Sequence, residues 1–292
     1  MTRPRLLLDS PSLVYRAFFA LPATIRDPQG RPVNAVRGYL DMTSTLLRDR
    51  DPAGLVHTFD VDWRPAWRVA AYPGYKSQRR PDPPELPGQF DVLHELLGAA
   101  GMPVAGAQGY EADDVIGTLA VAADVDDPVE VVTGDRDLLQ LVRDPVVAVL
   151  FTVRGVSRLE RFDDAAVLAK YGVRADQYVD FATLRGDPSD GLPGLRGIGE
   201  KTAAWLIATH GSLDAAVAAR ATLPAGIANA LRHGEEYLQA MRTVVPVCTS
   251  VPYQITPSRP PDEALLQQLA VTHGVEGPVQ RLLAALRARA AP

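Results

Sequence analysis

Nine acidic residues carry the chemistry that this sequence offers: Asp9, Asp60, Glu111, Asp113, Asp114, Asp135, Asp137, Asp187 and Asp190. Three apolar runs lead straight into members of the set. PRLLLD ends at Asp9, GLVHTFD ends at Asp60, and VEVVTGDRD ends at Asp135 and Asp137. Such runs read as buried strands, and the carboxyl ends of parallel strands converge on the sheet edge where ligands bind in open α/β folds. Carboxylates crowded together repel one another and take up protons unless cations neutralise them. A cluster of oxygen donors without His or Cys suits hard divalent ions such as Mg²⁺ or Mn²⁺, and so points to metal-assisted phosphoryl chemistry. Glu111 and Asp114, three apart, share a helical face while Asp113 points to one side, an arrangement able to serve two neighbouring ions. Taken singly, each acid has a plainer reading: Glu111, Asp113 and Asp114 suit a helix first turn, and Asp135 and Asp137 could simply begin a helix at 136–142. The conjunction of nine favours a site. Asp62 reads as a solvated loop residue.

Basic residues gather elsewhere. The segment 63–80, WRPAWRVAAYPGYKSQRR, holds Arg64, Arg68, Lys76, Arg79 and Arg80 and no acid, interleaved with Trp63, Trp67, Tyr72 and Tyr75. Cations contact phosphates and aromatic faces stack on unpaired bases; the alternative is an amphipathic helix packing its aromatics inward. Because the segment follows the Asp60 strand end, it would stand over the carboxylates. Pro65, Pro73 and Gly74 argue against one unbroken helix, so mobility in the absence of nucleic acid is expected. A third stretch, GLRGIGEKTA at 194–203, places Gly197 and Gly199 in a tight turn at a helix start, where free N–H groups can bind phosphate. A short GxG is common on its own. Lys201 adds weight, since only Lys76, Lys170 and Lys201 are lysines among 30 basic residues.

The elements that must position these groups fall into two halves. Up to about residue 155, strand-like runs alternate with helical patterns at 36–50, 89–100 and 111–123, and VVAVLF at 146–151 reads as a further strand. Gly101 is a plausible C-cap, and PDPPELPG at 81–88 is a proline-rich connector. After about residue 162 the strand pattern fades into short helices, among them 202–209 and 263–270, with a basic helix at 278–291. The chain has 292 residues, 47% hydrophobic, net charge −5 and one cysteine, Cys248. These values fit a globular protein of a reducing compartment without a disulfide framework. There is no signal-peptide pattern and no apolar run long enough for a membrane span.

Together, LLLDSPSLVYRAFFALP, HTFD, YKSQR, GYEADDVIGTLA, VVTGDRDLLQLV, KYGV and LRGDPSDGLPGLRGIGEKTA resemble the bacterial 5′ nuclease family, over residues 5 to about 250 and in the family's order. That family includes the N-terminal domain of DNA polymerase I, phage 5′ nucleases and, more distantly, flap endonucleases. The resemblance implies an α/β, PIN-like parallel-sheet nuclease domain at 1–162 with a helical arch at about 63–80. A mostly helical DNA-binding region at 163–292 would follow, with a helix-three-turn-helix module, completing the metal site with Asp187 and Asp190. It implies hydrolysis of DNA phosphodiesters at a 5′ end, nick or 5′ flap, RNA-primed 5′ segments included, with two or more Mg²⁺ or Mn²⁺ among the nine acids. Asp9, Asp60, Glu111 and Asp113 match the first metal group, and Asp114, Asp135, Asp137, Asp187 and Asp190 the remaining liganding carboxylates. Lys76 and Arg79 match catalytic arch residues. Arg16, Arg64, Arg68, Tyr72, Tyr75 and Arg80 would contact DNA, Arg16 near the 5′ end of the substrate and Tyr75 by stacking. Gly197, Gly199, Lys201 and Thr202 match a duplex-binding turn at which the family often holds K⁺. A monomer in the cytoplasm, associated with the nucleoid and acting in replication and repair, is expected, with no polymerase domain. Two positions depart from the pattern: Ser10, where the family has glycine, would narrow the pocket behind Asp9, and Gly191, where it has asparagine, would loosen the loop carrying Asp187 and Asp190.

Other readings weigh less. A catalytically impaired paralogue serving as a DNA-binding module would lack some of the carboxylates, and all nine are present. A PIN-type ribonuclease would not need the helical half. An aspartate-dependent phosphatase would carry Asp-x-Asp after the first strand, where this sequence reads Asp9-Ser10-Pro11.

Overall fold

The run that ends on Asp9 forms β1 (Arg5–Asp9), the centre of a seven-stranded sheet in a computed structural model that describes residues 2–290. β1 pairs in parallel with β2 (Gly54–Thr58), which pairs in parallel with β3 (Val104–Gly106). On its other side lie β4 (Val129–Thr133) and β5 (Val147–Thr152), also parallel. Two antiparallel strands close the edges, β6 (Leu159–Phe162) on β5 and β7 (Gln254–Ile255) on β3. Leu7 enters the apolar core on one face, while Leu6 and Leu8 enter the core on the other. A strand covered on both sides needs this kind of unbroken apolar run, and each of these fully buried leucines contributes roughly 1.5–3 kcal/mol. The register aligns Asp9 with Thr58 and Leu8 with Val132, so the chain leaves β1, β2 and β4 at one edge.

Helices cover both faces. The first half supplies α1 (Ser10–Ala20), α2 (Asn34–Arg50), α3 (Ala66–Ala71), α4 (Pro87–Ala99) and α5 (Ala112–Val121). Next come α6 (Asp164–Tyr171), α7 (Tyr178–Arg185), α8 (Glu200–His210), α9 (Leu213–Ala218), α10 (Ala225–His233) and α11 (Glu235–Val244). The chain then returns. β7 extends the sheet, α12 (Glu263–His273) packs on α4, and α13 (Glu276–Ala290) packs on α2 with Arg281 paired to Asp41 at 2.7 Å. This corrects the expected division at 162/163, because residues 254–290 build the outer layer of the first half and the helical module stops before them. β7 escaped the sequence pattern because both of its residues are exposed and it is only two residues long. The basic helix expected at 278–291 is the later part of α13, and residue 291 lies outside the described residues. Among the described residues no helix is long and apolar enough to cross a membrane.

Candidate active site

Four of the carboxylates are tied in place by backbone amides or a hydroxyl. Asp9 ends β1 and caps α1, with Oδ1 accepting from the Ser12 amide at 3.3 Å and Oδ2 accepting from Thr133 Oγ1 at 2.5 Å. Asp60 lies two residues past β2 and accepts the Ala112 amide at 2.7 Å, which ties it to the start of α5. Asp135, two past β4, accepts the Asp137 amide at 2.8 Å. Asp187 accepts the Ser189 amide at 2.8 Å and opens a single 3₁₀ turn, Pro188–Asp190. Short Asx-type turns of this kind fix an acidic side chain without a long element behind it.

A cavity of about 690 Å³ gathers Asp9, Asp60, Glu111, Asp113 and Asp135 together with Lys76, Arg79 and Arg80. Asp135 also lines an adjoining hollow of about 520 Å³ with Asp187, Arg136, Arg185 and Ser189. The site is therefore two carboxylate groups joined at Asp135. The charges press on one another. Burial, with Asp135 and Asp60 nearby, pushes Asp9 up to about 7 from 3.8. Burial and the charges of Asp9, Asp135 and Glu111 hold Asp113 well above the usual carboxylate range. Asp137 is raised by burial and by Asp135, Asp190 and Asp187.

Cations answer this charge from the segment 63–80. Lys76 is buried, its ammonium bonded to Glu111 Oε1 and 4.0 Å from Asp190 Oδ2. Burial alone would lower its pKa, but Glu111 and Asp190 raise it above its ordinary value. Arg79 NH2 donates to Asp190 Oδ1 at 2.7 Å. Arg80 is exposed at the cavity rim. Arg16 lies on α1 facing Gly134, with a buried Nε that has no partner.

Five expected site residues stand elsewhere. Asp114 is fully buried and turned away from the cavity, taking NH1 and NH2 of Arg68 at 2.9 and 2.7 Å and the Cys248 amide at 2.9 Å. It is a structural counter-ion: with the Glu111 amide as a fourth donor, its two oxygens are taken up inside the protein, and it lines neither cavity. Arg68 is accordingly no DNA contact. Its five N–H bonds go to Glu111, Asp114 and the carbonyls of Val244 and Pro246. Tyr75 is buried with its hydroxyl donating to Glu111 Oε2 at 2.7 Å, and offers no free face for stacking. Tyr72 packs edge-on against Tyr237, with ring centroids 6.0 Å apart. Arg64 lies over the same turn, donating to the Tyr75 and Pro73 carbonyls at 2.7 and 3.0 Å. The segment is thus a short helix and a docked turn, anchored where a free arch was expected.

Ser10 does not narrow the cavity. It is fully buried, and its hydroxyl bonds to Tyr39 at 2.6 Å, which bonds to His57 Nδ1 at 2.6 Å. Sequence reasoning missed Tyr15, Phe59, Phe90 and His94, which form the apolar end of the cavity. Tyr15 was discoverable, since helical spacing from Asp9 puts Ser12 and Tyr15 or Arg16 on one face. It also missed Arg185, whose guanidinium lies 3.9 Å from Asp187 and opposes part of the rise that burial and neighbouring carboxylates impose on Asp137.

The donor set fits a hard divalent cation. All the ligand atoms are oxygens, and Asp137 Oδ1 is buried without any hydrogen-bond partner, which leaves a buried charge to be met. Among the described residues no three of these groups are already arranged to hold an ion, and Glu111 and Asp190 are paired with Lys76 and Arg79. Away from the cavity, Gly197 adopts φ +83° and Gly199 starts α8 with no side-chain cap. The first amides of α8 have no side-chain acceptor and lie beside exposed Lys201 and partly exposed Thr202.

A parallel sheet with acids at one edge, joined to a helical module that presents an uncapped helix start, defines a resolvase-like nuclease domain followed by a SAM-type domain. Residues 4–172 match the family described as 5′-3′ exonuclease, N-terminal resolvase-like domain, and residues 173–264 match its C-terminal SAM fold. The chain belongs to the 5′-3′ exonuclease family. It is 44% identical to the 5′-3′ exonuclease of Mycobacterium tuberculosis, with 98% of each chain covered. It is 46% identical to the 5′-3′ exonuclease of Streptomyces coelicolor, covering 97% of this chain and 100% of that one. DNA polymerase I of Mycobacterium bovis is 46% identical over 86% of this chain, which corresponds to 28% of the polymerase. Among solved structures, the T5 D15 protein co-crystallised with metal ions superposes with a TM-score of 0.65 at 17% identity, covering 98% of this chain and all of that one. Flap endonuclease-1 from Methanococcus jannaschii gives 0.66 at 18% identity, covering 99% and 94%. The fold is theirs.

Proposed function

We propose that this 5′-3′ exonuclease is structure-specific, cutting DNA at 5′ flaps, nicks and 5′ ends, RNA-primed 5′ segments included, with two or more Mg²⁺ or Mn²⁺ bound. The observation that carries the reading is the pair of carboxylate groups joined at Asp135 directly beneath Lys76 and Arg79. Asp9, Asp60, Glu111 and Asp113 would hold one ion, and Asp135, Asp137, Asp187 and Asp190 the other. When bound, such ions neutralise the scissile phosphate and make water a better nucleophile. Lys76 and Arg79 stabilise negative charge that develops on the phosphate oxygens, a role in which preorganised cations in a desolvated cleft are worth most. Arg80, at the cavity rim, and Arg16, on α1 beside Gly134, draw in the 5′ strand. The 197–202 turn would grip duplex phosphates through its amides and Lys201, and is where a K⁺ would be held. Such contacts carry no sequence information, so recognition follows substrate shape.

The test is digestion of end-labelled flap, nicked and single-stranded substrates in Mn²⁺ or Mg²⁺, with product lengths read on a gel. Cuts at the flap junction and one-nucleotide steps from a nick are expected. Equal cutting of single strands and flaps, or full activity in chelator, would overturn the reading.

A further inference from the structure

The turn Gly74–Arg79 is docked on the loop 187–191 by four contacts. The Lys76 amide donates to the Asp190 carbonyl at 2.8 Å, and Gln78 Nε2 donates to the Pro188 carbonyl at 3.0 Å. Arg79 reaches both the Ser189 carbonyl, at 3.4 Å, and Asp190 Oδ1, at 2.7 Å. Lys76 itself adopts φ +50°, a conformation that a lysine takes only when its surroundings impose it. That conformation delivers the Lys76 ammonium to Glu111 and Asp190. The partner surface has one decisive gap. Gly191 lies in the left-handed region at φ +73°, and a Cβ there would sit 2.4 Å from Gln78 Oε1 and 2.5 Å from the Gly74 carbonyl oxygen. The Gln78 side chain can swing aside, but the Gly74 backbone cannot move without taking Lys76 with it.

We propose that Gly191 is a positioning residue. Its missing side chain lets the arch turn seat directly on the loop that carries Asp187 and Asp190, and so fixes Lys76 over the carboxylates. The proposal rests on the reading of Lys76 as a catalytic cation. It also reverses the expectation that glycine at 191 loosens this loop, since here the glycine permits four additional anchoring contacts.

Gly191→Asn is the test, because asparagine tolerates positive φ while carrying a Cβ. Gly30→Asn is the control, at φ +82° with nothing within 4 Å of its Cβ position. Two quantities are read on the full chain: hydrogen exchange of the Lys76 amide without DNA, and the single-turnover cleavage rate against the dissociation constant on a flap substrate. In Gly191→Asn the Lys76 amide should exchange at least roughly tenfold faster. The cleavage rate should fall about 10²-fold, the scale of a misplaced catalytic group, with binding little changed. Gly30→Asn should match the wild type in both. Retained protection of the Lys76 amide would overturn the proposal, and so would a lost protection with an unchanged rate. An equal effect in Gly30→Asn would place the cause in turn strain and overturn it too. If Lys76→Ala cleaves at the wild-type rate, the functional reading of Lys76 fails on its own, while the docking of the turn still stands or falls by the amide protection.

Discussion

The acidic sheet edge and the basic segment 63–80 face the same cleft but are built on opposite plans. At the edge, carboxylates arrive from several elements and are fixed by backbone amides or hydroxyls, as Asp9 is by Ser12, Asp60 by Ala112 and Asp135 by Asp137. In the basic segment one stretch of chain supplies the cations, and three of them are fixed by carboxylates on distant elements: Glu111 for Lys76, Asp190 for Arg79, Asp114 for Arg68. A strand end points its acid at the cleft because the sheet's register leaves no choice. A cation on a short helix points wherever the best counter-ion lies. Arg68 and Arg80 belong to the same basic run, yet Arg68 is 3% exposed inside the protein and Arg80 is exposed at the rim.

The largest expected effect breaks the edge itself. Asp135 belongs to both carboxylate groups, so Asp135→Ala should abolish cleavage in a single-turnover assay while flap binding in Ca²⁺, measured by fluorescence anisotropy, stays near the wild-type level. Near-normal cutting would separate the two groups and undo the shared-residue geometry. Within the basic segment, Arg68→Ala should cost stability, not affinity. Removing one member of a buried ion pair costs about 3–5 kcal/mol, readable as a lower urea midpoint. Arg80→Ala should leave that midpoint unchanged and weaken binding to single-stranded 5′ segments. A soluble, wild-type-stable Arg68→Ala with weakened DNA binding would restore Arg68 to the DNA surface.

The edge also stores repulsion, which gives it a pH dependence that the basic segment lacks. The Asp9 carboxyl sits at about 7 in the folded protein against 3.8 as a free group. A group raised on folding contributes stability that is present below its unfolded value and lost as pH rises through the folded one. In chelator, the melting temperature of the wild type should therefore fall between about pH 4 and about pH 7 by more than that of Asp9→Asn, with the variant the more stable at about pH 8. Added Mn²⁺ should restore the wild type and do less for the variant. Parallel melting curves for the two proteins across that range would show that the charge of Asp9 is already compensated.

How much of this was legible in the sequence follows the same division. The strands leading to Asp9, Asp60 and Asp135 were readable because a doubly covered strand must be apolar throughout, and the acids end those runs. Asp114 was misread for a related reason: spacing on α5 tells that it shares a face with Glu111 but not that Arg68 stands on that face. Tyr75 and Arg68 looked like DNA contacts because composition records that a segment is basic and aromatic, while burial depends on partners more than thirty residues away, such as Glu111. The docking of the arch turn could not be read at all, since it turns on the absence of one Cβ at Gly191, which has meaning only when Gly74 is known to lie beside it.

The smallest effect lies outside the cleft, at the mostly exposed 197–202 turn that is proposed to bind duplex phosphates. Lys201 has no carboxylate partner within salt-bridge distance among the described residues and stands one position into α8, beside amides without a side-chain cap. In this it is unlike Lys76, whose ammonium is already bonded to Glu111. A free exposed lysine contributes by displacing a counter-ion from duplex DNA, so Lys201→Ala should lower the slope of log affinity against log salt by about one. The loss of affinity should be modest, uniform across sequences, and confined to substrates that contain duplex. The single-turnover rate at saturating enzyme should not change, because the turn touches no reacting atom. Equal weakening on a short single strand, or a fall in rate at saturation, would mean that the turn belongs to the cleft and that the acidic edge and the basic segment are not the only regions that hold the strand to be cut.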